Sequence, residues 1–150
     1  MNETTMNLAS RQKRLFGALI DGVIEWAIIS PIMLAAGIFQ GIFSAEAMTV
    51  GEQIIYIIVV WVVFLVLNGY LLFTRGQTIG KVAMQTKIVG IGGNVPSLSK
   101  LFIMRYLILG LVGMISHIGV FAGLVNVLFI FGQDHRCLHD YLAGTRVVNA

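Results

Sequence analysis

Asp21 and Glu25 lie one helical turn apart inside a long apolar run, with Arg14 two turns ahead of Asp21. Spacings of four and seven residues put all three on one side of a helix. An ionisable group within hydrocarbon costs about 2.5–3.5 kcal/mol on insertion scales, so such residues mark either ion pathways or locked pairs. A carboxylate there can carry a proton or coordinate a small cation. Asp21 and Glu25 are the candidates for that role, Glu25 being deeper by about 6 Å along the axis. The structural alternative for Glu25 is a hydrogen bond to Asn68, Asn126 or a backbone carbonyl. Helical side chains lean toward the N-terminus, so Arg14 reaches away from Asp21, toward Asp140 or a lipid phosphate. Asp21 is then expected to meet Arg105 or Lys81 from another helix.

The remaining polar residues offer less chemistry. His135 and His139 flank Arg136 and Cys137, a spacing that matches no zinc pattern and lacks a fourth ligand. His117 falls in a turn-compatible break. Gly76 and Gly80-Lys81 do not form a phosphate-binding loop, lacking the upstream glycine and the following Ser or Thr. No Ser/His/Asp or Cys/His set for nucleophilic catalysis assembles from these positions. Neither enzymatic activity nor a cofactor or metal is expected, and the lone Cys137 cannot form an internal disulfide.

The elements that position these groups follow from composition and charge. Hydrophobic residues make up 57% of the 150 and charged residues 11%, against about 45–50% and about 25% in soluble domains. The segment from Gln40 to Gln53 carries Glu46 and Glu52 but no basic residue, whereas every Lys and Arg can be placed on one side of a membrane. Basic residues collect on cytoplasmic flanks. The net charge of +3 therefore suits anionic headgroups, and nucleic acid is not an expected partner.

Membrane-crossing helices are predicted at about 15–39 and 53–73. The last apolar block, 97–131, would be about 52 Å long as one helix, too long for a single crossing. Cutting at Ser116-His117-Ile118-Gly119 gives crossings at about 97–116 and 119–133. The expected architecture is an all-α membrane protein of four transmembrane helices in two helix-pair halves. Residues 1–10 are expected to be flexible, segments 74–96 and 134–150 cytoplasmic, and both termini inside.

An internal echo supports the two halves. Thr78-Ile-Gly-Lys-Val-Ala-Met-Gln-Thr-Lys-Ile-Val89 lines up with Cys137-Leu-His-Asp-Tyr-Leu-Ala-Gly-Thr-Arg-Val-Val148. Each reads as a short interfacial helix leading into a strand after a pair of crossings. Thr86–Val89 and Thr145–Val148 are candidates to pair as a small cytoplasmic sheet. Gly92-Gly93-Asn94 before Pro96 also permits a hairpin within 86–98.

Arg14-Leu-Phe-Gly-Ala-Leu-Ile-Asp21-Gly22, Gly76-Gln-Thr-Ile-Gly-Lys81, Lys87-Ile-Val89, the Arg105 helix and Leu138-His-Asp140-Tyr-Leu-Ala-Gly-Thr-Arg-Val-Val148 together resemble the RDD family of small prokaryotic membrane proteins. The resemblance covers about residues 9–148. It implies that Arg14, Asp21 and Asp140 are the arginine and two aspartates for which that family is named, with Arg105 and Lys81 as supporting cations. It also implies transport, with cation/proton antiport proposed for some members. The expectation is thus a multi-pass inner-membrane protein, a homo-oligomer, that moves a monovalent cation, a proton or a small solute. The alternative is a non-transporting membrane scaffold whose charges are structural.

Overall fold

The computed structural model describes residues 7–38, 49–113, 121–122, 124–126, 128–132 and 136–150. Helix α1 spans Arg11–Ala35 and starts four residues ahead of its apolar run, because the Ser10 hydroxyl accepts from the Lys13 N–H at 3.3 Å. A hydroxyl at this position satisfies one of the amides left open at a helix start. The helix runs through Pro31 and ends where Gly37 turns left-handed at φ 75°. Helix α2 spans Val50–Arg75. It opens on a capping box, in which the Glu52 carboxylate accepts from the Thr49 N–H at 2.7 Å and the Thr49 hydroxyl from the Glu52 N–H at 3.3 Å. Gly76, left-handed at φ 65°, ends it.

Both helices are long and apolar enough to cross a membrane. Their outward faces carry large bare side chains, among them Trp26 at 71% and Val66 at 77% exposure. Such surface is stable against hydrocarbon and not against water. Ile29, Met33 and Ile38 of the first helix region pack against Tyr56, Val59, Val60 and Val63 of α2, closing the end remote from the sheet.

Beyond Gly76 come a short helix, α3 (Ile79–Ala83), and a strand, β1 (Thr86–Gly90). Helix α4 opens at Leu98–Lys100, widens to π-helical bonding over Leu101–Leu107, and returns to α-helix at Ile108–Gly113. Arg105 lies in the widened stretch, a local geometry often found at functional positions. The aromatic rings of Trp61 and Phe64 on α2 meet Phe102 and Tyr106 on α4, with Trp61–Phe102 centroids 5.2 Å apart in an edge-to-face arrangement. The predicted break at 116–119 lies outside the described residues. A short helix, α5 (Leu138–Ala143), and a strand, β2 (Thr145–Asn149), close the chain.

The fold is mostly helical, but it is not all-α. Strands β1 and β2 pair antiparallel, Thr86 opposite Asn149 and Ile88 opposite Val147. No second strand forms between Gly90 and Pro96; Asn94 instead closes a turn by accepting from the Gly90 N–H at 2.8 Å. Ile88 and Val147, with Ala9, Phe64, Leu72 and Leu101, form the core beneath the sheet. Residues 7–9, expected to be flexible, are pinned to the free edge of β2: the Ala9 N–H donates to Val147 at 3.0 Å and Ala9 is buried. An open strand edge is a template for further pairing, which the chain fills with its own N-terminal segment.

Candidate functional site

The site is best built from the two short helices, because the backbone around α3 and α5 repeats with an offset of 59 residues, Thr78 onto Cys137 and Thr86 onto Thr145. Thr78 and Cys137 are the N-cap residues of the two helices. Gln85 and Gly144 both turn left-handed, at φ 53° and 58°. Ahead of each helix a side chain reaches across to the first strand residue: Gln77 Nε2 donates to the Thr86 carbonyl at 2.8 Å, and Arg136 Nε to the Thr145 carbonyl at 3.0 Å. The Ala150 N–H donates to Gln85, and the Ile91 N–H to Gly144. An asparagine from the preceding segment caps each helix, Asn68 Oδ1 on the Ile79 N–H at 3.0 Å and Asn126 Oδ1 on the His139 N–H at 3.1 Å. The pairing of Ile88 with Val147, themselves 59 apart, places a local two-fold through the middle of the sheet.

The charged residues occupy equivalent places in this repeat with their signs reversed. Position N3 of α3 is Lys81, and position N3 of α5 is Asp140. In the first half the carboxylate comes from the long helix. Asp21 on α1 accepts from the Thr78 hydroxyl at 2.5 Å and the Gly80 N–H at 2.6 Å, and Lys81 Nζ stands 4.0 Å away. Those bonds form because Gly17 and Gly80 let α1 and α3 touch backbone to backbone; a Cβ on Gly80 would lie 2.0 Å from the Gly17 carbonyl oxygen.

In the second half the cations come from the long helices. Arg105 on α4 and Arg14 on α1 both pair with Asp140, which is fully buried. Arg105 also donates to the Thr145 hydroxyl at 2.8 Å, and the Cys137 N–H donates to Asp140 at 3.1 Å. Burial acts to raise the Asp140 carboxyl, but the Arg105 and Arg14 guanidiniums outweigh it and hold the group well below the usual carboxylate range. Burial, reinforced by Arg105, pushes the His139 imidazole down to about 3, so it is neutral. Its Nδ1 sits 2.8 Å from Asn126 Oδ1. Burial likewise pushes the Cys137 thiol up, leaving it protonated.

Of the candidate residues, the structure thus joins Arg14, Arg105 and Asp140 in one cluster and Asp21 with Lys81 in another. Arg105, expected as a partner of Asp21, goes to Asp140 instead, because α4 packs on α5 while α1 packs on α3. Glu25 stands half-buried on the same face of α1 as Asp21. Asn68 and Asn126, its expected partners, are engaged on the short helices. Sequence reasoning missed Thr78, Gly80, Thr145 and Arg136. The signal was present in the echo, which sets Lys81 against Asp140 and marks both helix starts.

Cys137, His139 and Asp140 bring potential metal ligands within 4.8 Å of one another. With both Asp140 oxygens on guanidiniums and a protonated thiol, that set opposes a cation.

A family model described as RDD family matches residues 8–144. The chain finds no significant match among curated proteins or among solved structures.

Proposed function

The chain belongs to the RDD family, and from that premise we propose that it is a small multi-pass inner-membrane protein moving a proton or a monovalent cation, with Glu25 as the carrying carboxylate. Four crossings are proposed, both termini cytoplasmic, with the sheet and the two short helices on the inner face. Because four helices barely enclose a pathway, a homo-oligomer would line it. Arg14, Asp21, Lys81, Arg105 and Asp140 then form a cytoplasmic lock, not the carrier.

The observation that carries this reading is the contrast between neighbouring acids on α1. Both oxygens of Asp21 are occupied by donors, whereas Glu25, half-buried one turn deeper, has no hydrogen-bond donor among the described residues. A carboxylate left without donors at that depth is suited to exchanging a proton or a cation. Reconstituted protein should collapse an imposed pH gradient when a monovalent cation is added, and Glu25→Gln should abolish the flux while the protein still folds. Absence of flux with every monovalent cation, or unchanged flux in Glu25→Gln, overturns the reading.

One observation favours the scaffold alternative: Arg14 and Asp140 of the family motif pair across α1 and the tail, as in a purely structural lock. Thiol labelling separates the two. Cysteine at position 25 in a Cys137→Ser background should react with a water-soluble reagent if the face is a pathway. A dry, unreactive face favours the scaffold.

A further inference from the structure

A cavity of about 500 Å³ opens between the first turns of α1, α3 and the C-terminal tail. Arg11, Arg14, Lys81 and Arg105 all line it, and no Asp or Glu does so among the described residues. Two of these cations, Arg14 and Arg105, converge on the single carboxylate of Asp140. Arg105 is almost fully buried, yet its Nε has no hydrogen-bond partner. A buried donor left open costs about 1–3 kcal/mol, and a ligand acceptor in the adjoining cavity would relieve it. Most of the remaining wall surface is apolar, Leu15, Ala18, Phe131 and Val147 among it, with polar Gln12 and Asn126 also on the lining.

We propose that this cavity binds a phosphate-bearing anion, either the headgroup of an anionic phospholipid or a soluble phosphoester. Guanidinium forks match phosphate oxygens in pairs, which no single ammonium or neutral donor does. The chamber is far larger than an inorganic phosphate, and its apolar wall accommodates the carbon skeleton beyond the phosphate. It also opens beside the cytoplasmic start of α1, the level at which headgroups lie. A cation is excluded by the same lining, so the cavity is distinct from any route through Glu25.

The test uses the full chain in nanodiscs of phosphatidylcholine with or without phosphatidylglycerol, read by native mass spectrometry and thermal unfolding. Soluble arms add inorganic phosphate or glycerol 3-phosphate. Arg11→Gln removes one lining charge, that of the guanidinium over the Phe131 ring, and Ala18→Trp fills the chamber from an exposed helical position. Phosphatidylglycerol should be retained roughly tenfold more tightly than phosphatidylcholine. Arg11→Gln should weaken that retention about fivefold, as expected for one basic residue at the surface, and Ala18→Trp should abolish the preference. If a soluble arm alone stabilises the protein, with the same sensitivity to both variants, the ligand is a free phosphoester and the assignment stands. Equal retention of the two lipids with no response to soluble phosphates overturns it. So does an anion preference that survives both variants, since binding would then lie elsewhere.

Discussion

The two halves of the molecule use one backbone design and opposite charge. In the first, the long helix supplies the acid and the short helix the base, Asp21 to Lys81. In the second, the long helix supplies the base and the short helix the acid, Arg105 to Asp140. The N-caps, the left-handed residues and the reach of Gln77 and Arg136 to the strands are the same in both. The sign of each charge is therefore free provided its partner changes with it, while the backbone geometry is not. Burial separates the halves further. Asp21 and Lys81 keep about 15% of their side-chain surface, and Asp140 keeps none. Water near the first pair makes good part of what is lost if the pair is broken. Nothing does so for the second.

The sharpest way to break this comparison is to remove each acid in turn. Asp140→Asn leaves Arg14 and Arg105 buried without a counter-charge, and breaking a buried pair in this way costs about 3–5 kcal/mol. The variant should fail to accumulate, or should unfold far below the parent in detergent. Asp21→Asn keeps a hydrogen-bonding group in place and should lose about 1–3 kcal/mol. Equal losses measured by thermal unfolding would show that burial does not rank the two halves.

A second contrast concerns position 80 and its equivalent, 139. The second half holds a histidine there, while the first tolerates only glycine because α1 and α3 meet at Gly17 and Gly80. Gly80→Ala should force those helices apart, break the Asp21 bonds and cost at least about 1–3 kcal/mol. Limited proteolysis within 74–96 would report the separation. Gly76→Ala should act comparably, since its Cβ would lie 2.4 Å from the Ile88 carbonyl oxygen and its φ is left-handed. Wild-type protease resistance in Gly80→Ala would mean that the close approach is not required.

Much of the repeat, though not its reversal of charge, is legible in the sequence itself. The echo between 78–89 and 137–148 located both strands and their pairing, because β-branched pairs after a short apolar-periodic stretch have few other uses at a membrane surface. Hydropathy located both long helices but not their first turns. Those are set by Ser10 and Thr49, polar residues that bond backbone amides and carry no apolar signal. The pairing of Arg105 with Asp140 was missed for a different reason. Charge complementarity made Asp21 an equally good partner, and only the packing of α4 on α5 decides between them. The role of Gly80 was hidden as well, since a close backbone approach leaves no mark beyond the glycine itself.

Acid should expose the same difference between halves. The folded protein holds His139 at about 3, while an unfolded chain takes up that proton near pH 6.5. Between those values the unfolded state binds more protons, so stability falls as pH drops, by at most about 1.4 kcal/mol per pH unit. The groups acting on this imidazole are Asp140, Arg105, Lys81 and Arg14. Asp140, held below its ordinary range, adds stability that is present above about pH 4 and is lost on further acidification. His139→Gln should flatten the unfolding profile between pH 6.5 and 4 and leave the steeper loss below it. An unchanged slope above pH 4 would mean the imidazole is protonated in the folded state.

The smallest effect belongs to the looser half. Lys81 stands 4.0 Å from Asp21, at the limit of an ion pair, and the carboxylate already has the Thr78 hydroxyl and the Gly80 N–H. Lys81→Gln should therefore cost less than about 1 kcal/mol, the range of partly solvated pairs. Arg105→Gln at the equivalent contact removes a buried cation from a buried acid and should approach the loss seen in Asp140→Asn. Combining Lys81→Gln with Asp21→Asn gives the coupling between the pair, which should be small beside that of Arg105 with Asp140. A Lys81 coupling as large as the Arg105 coupling would make the two halves energetic equals, and the sign reversal would then be a true exchange of roles between them.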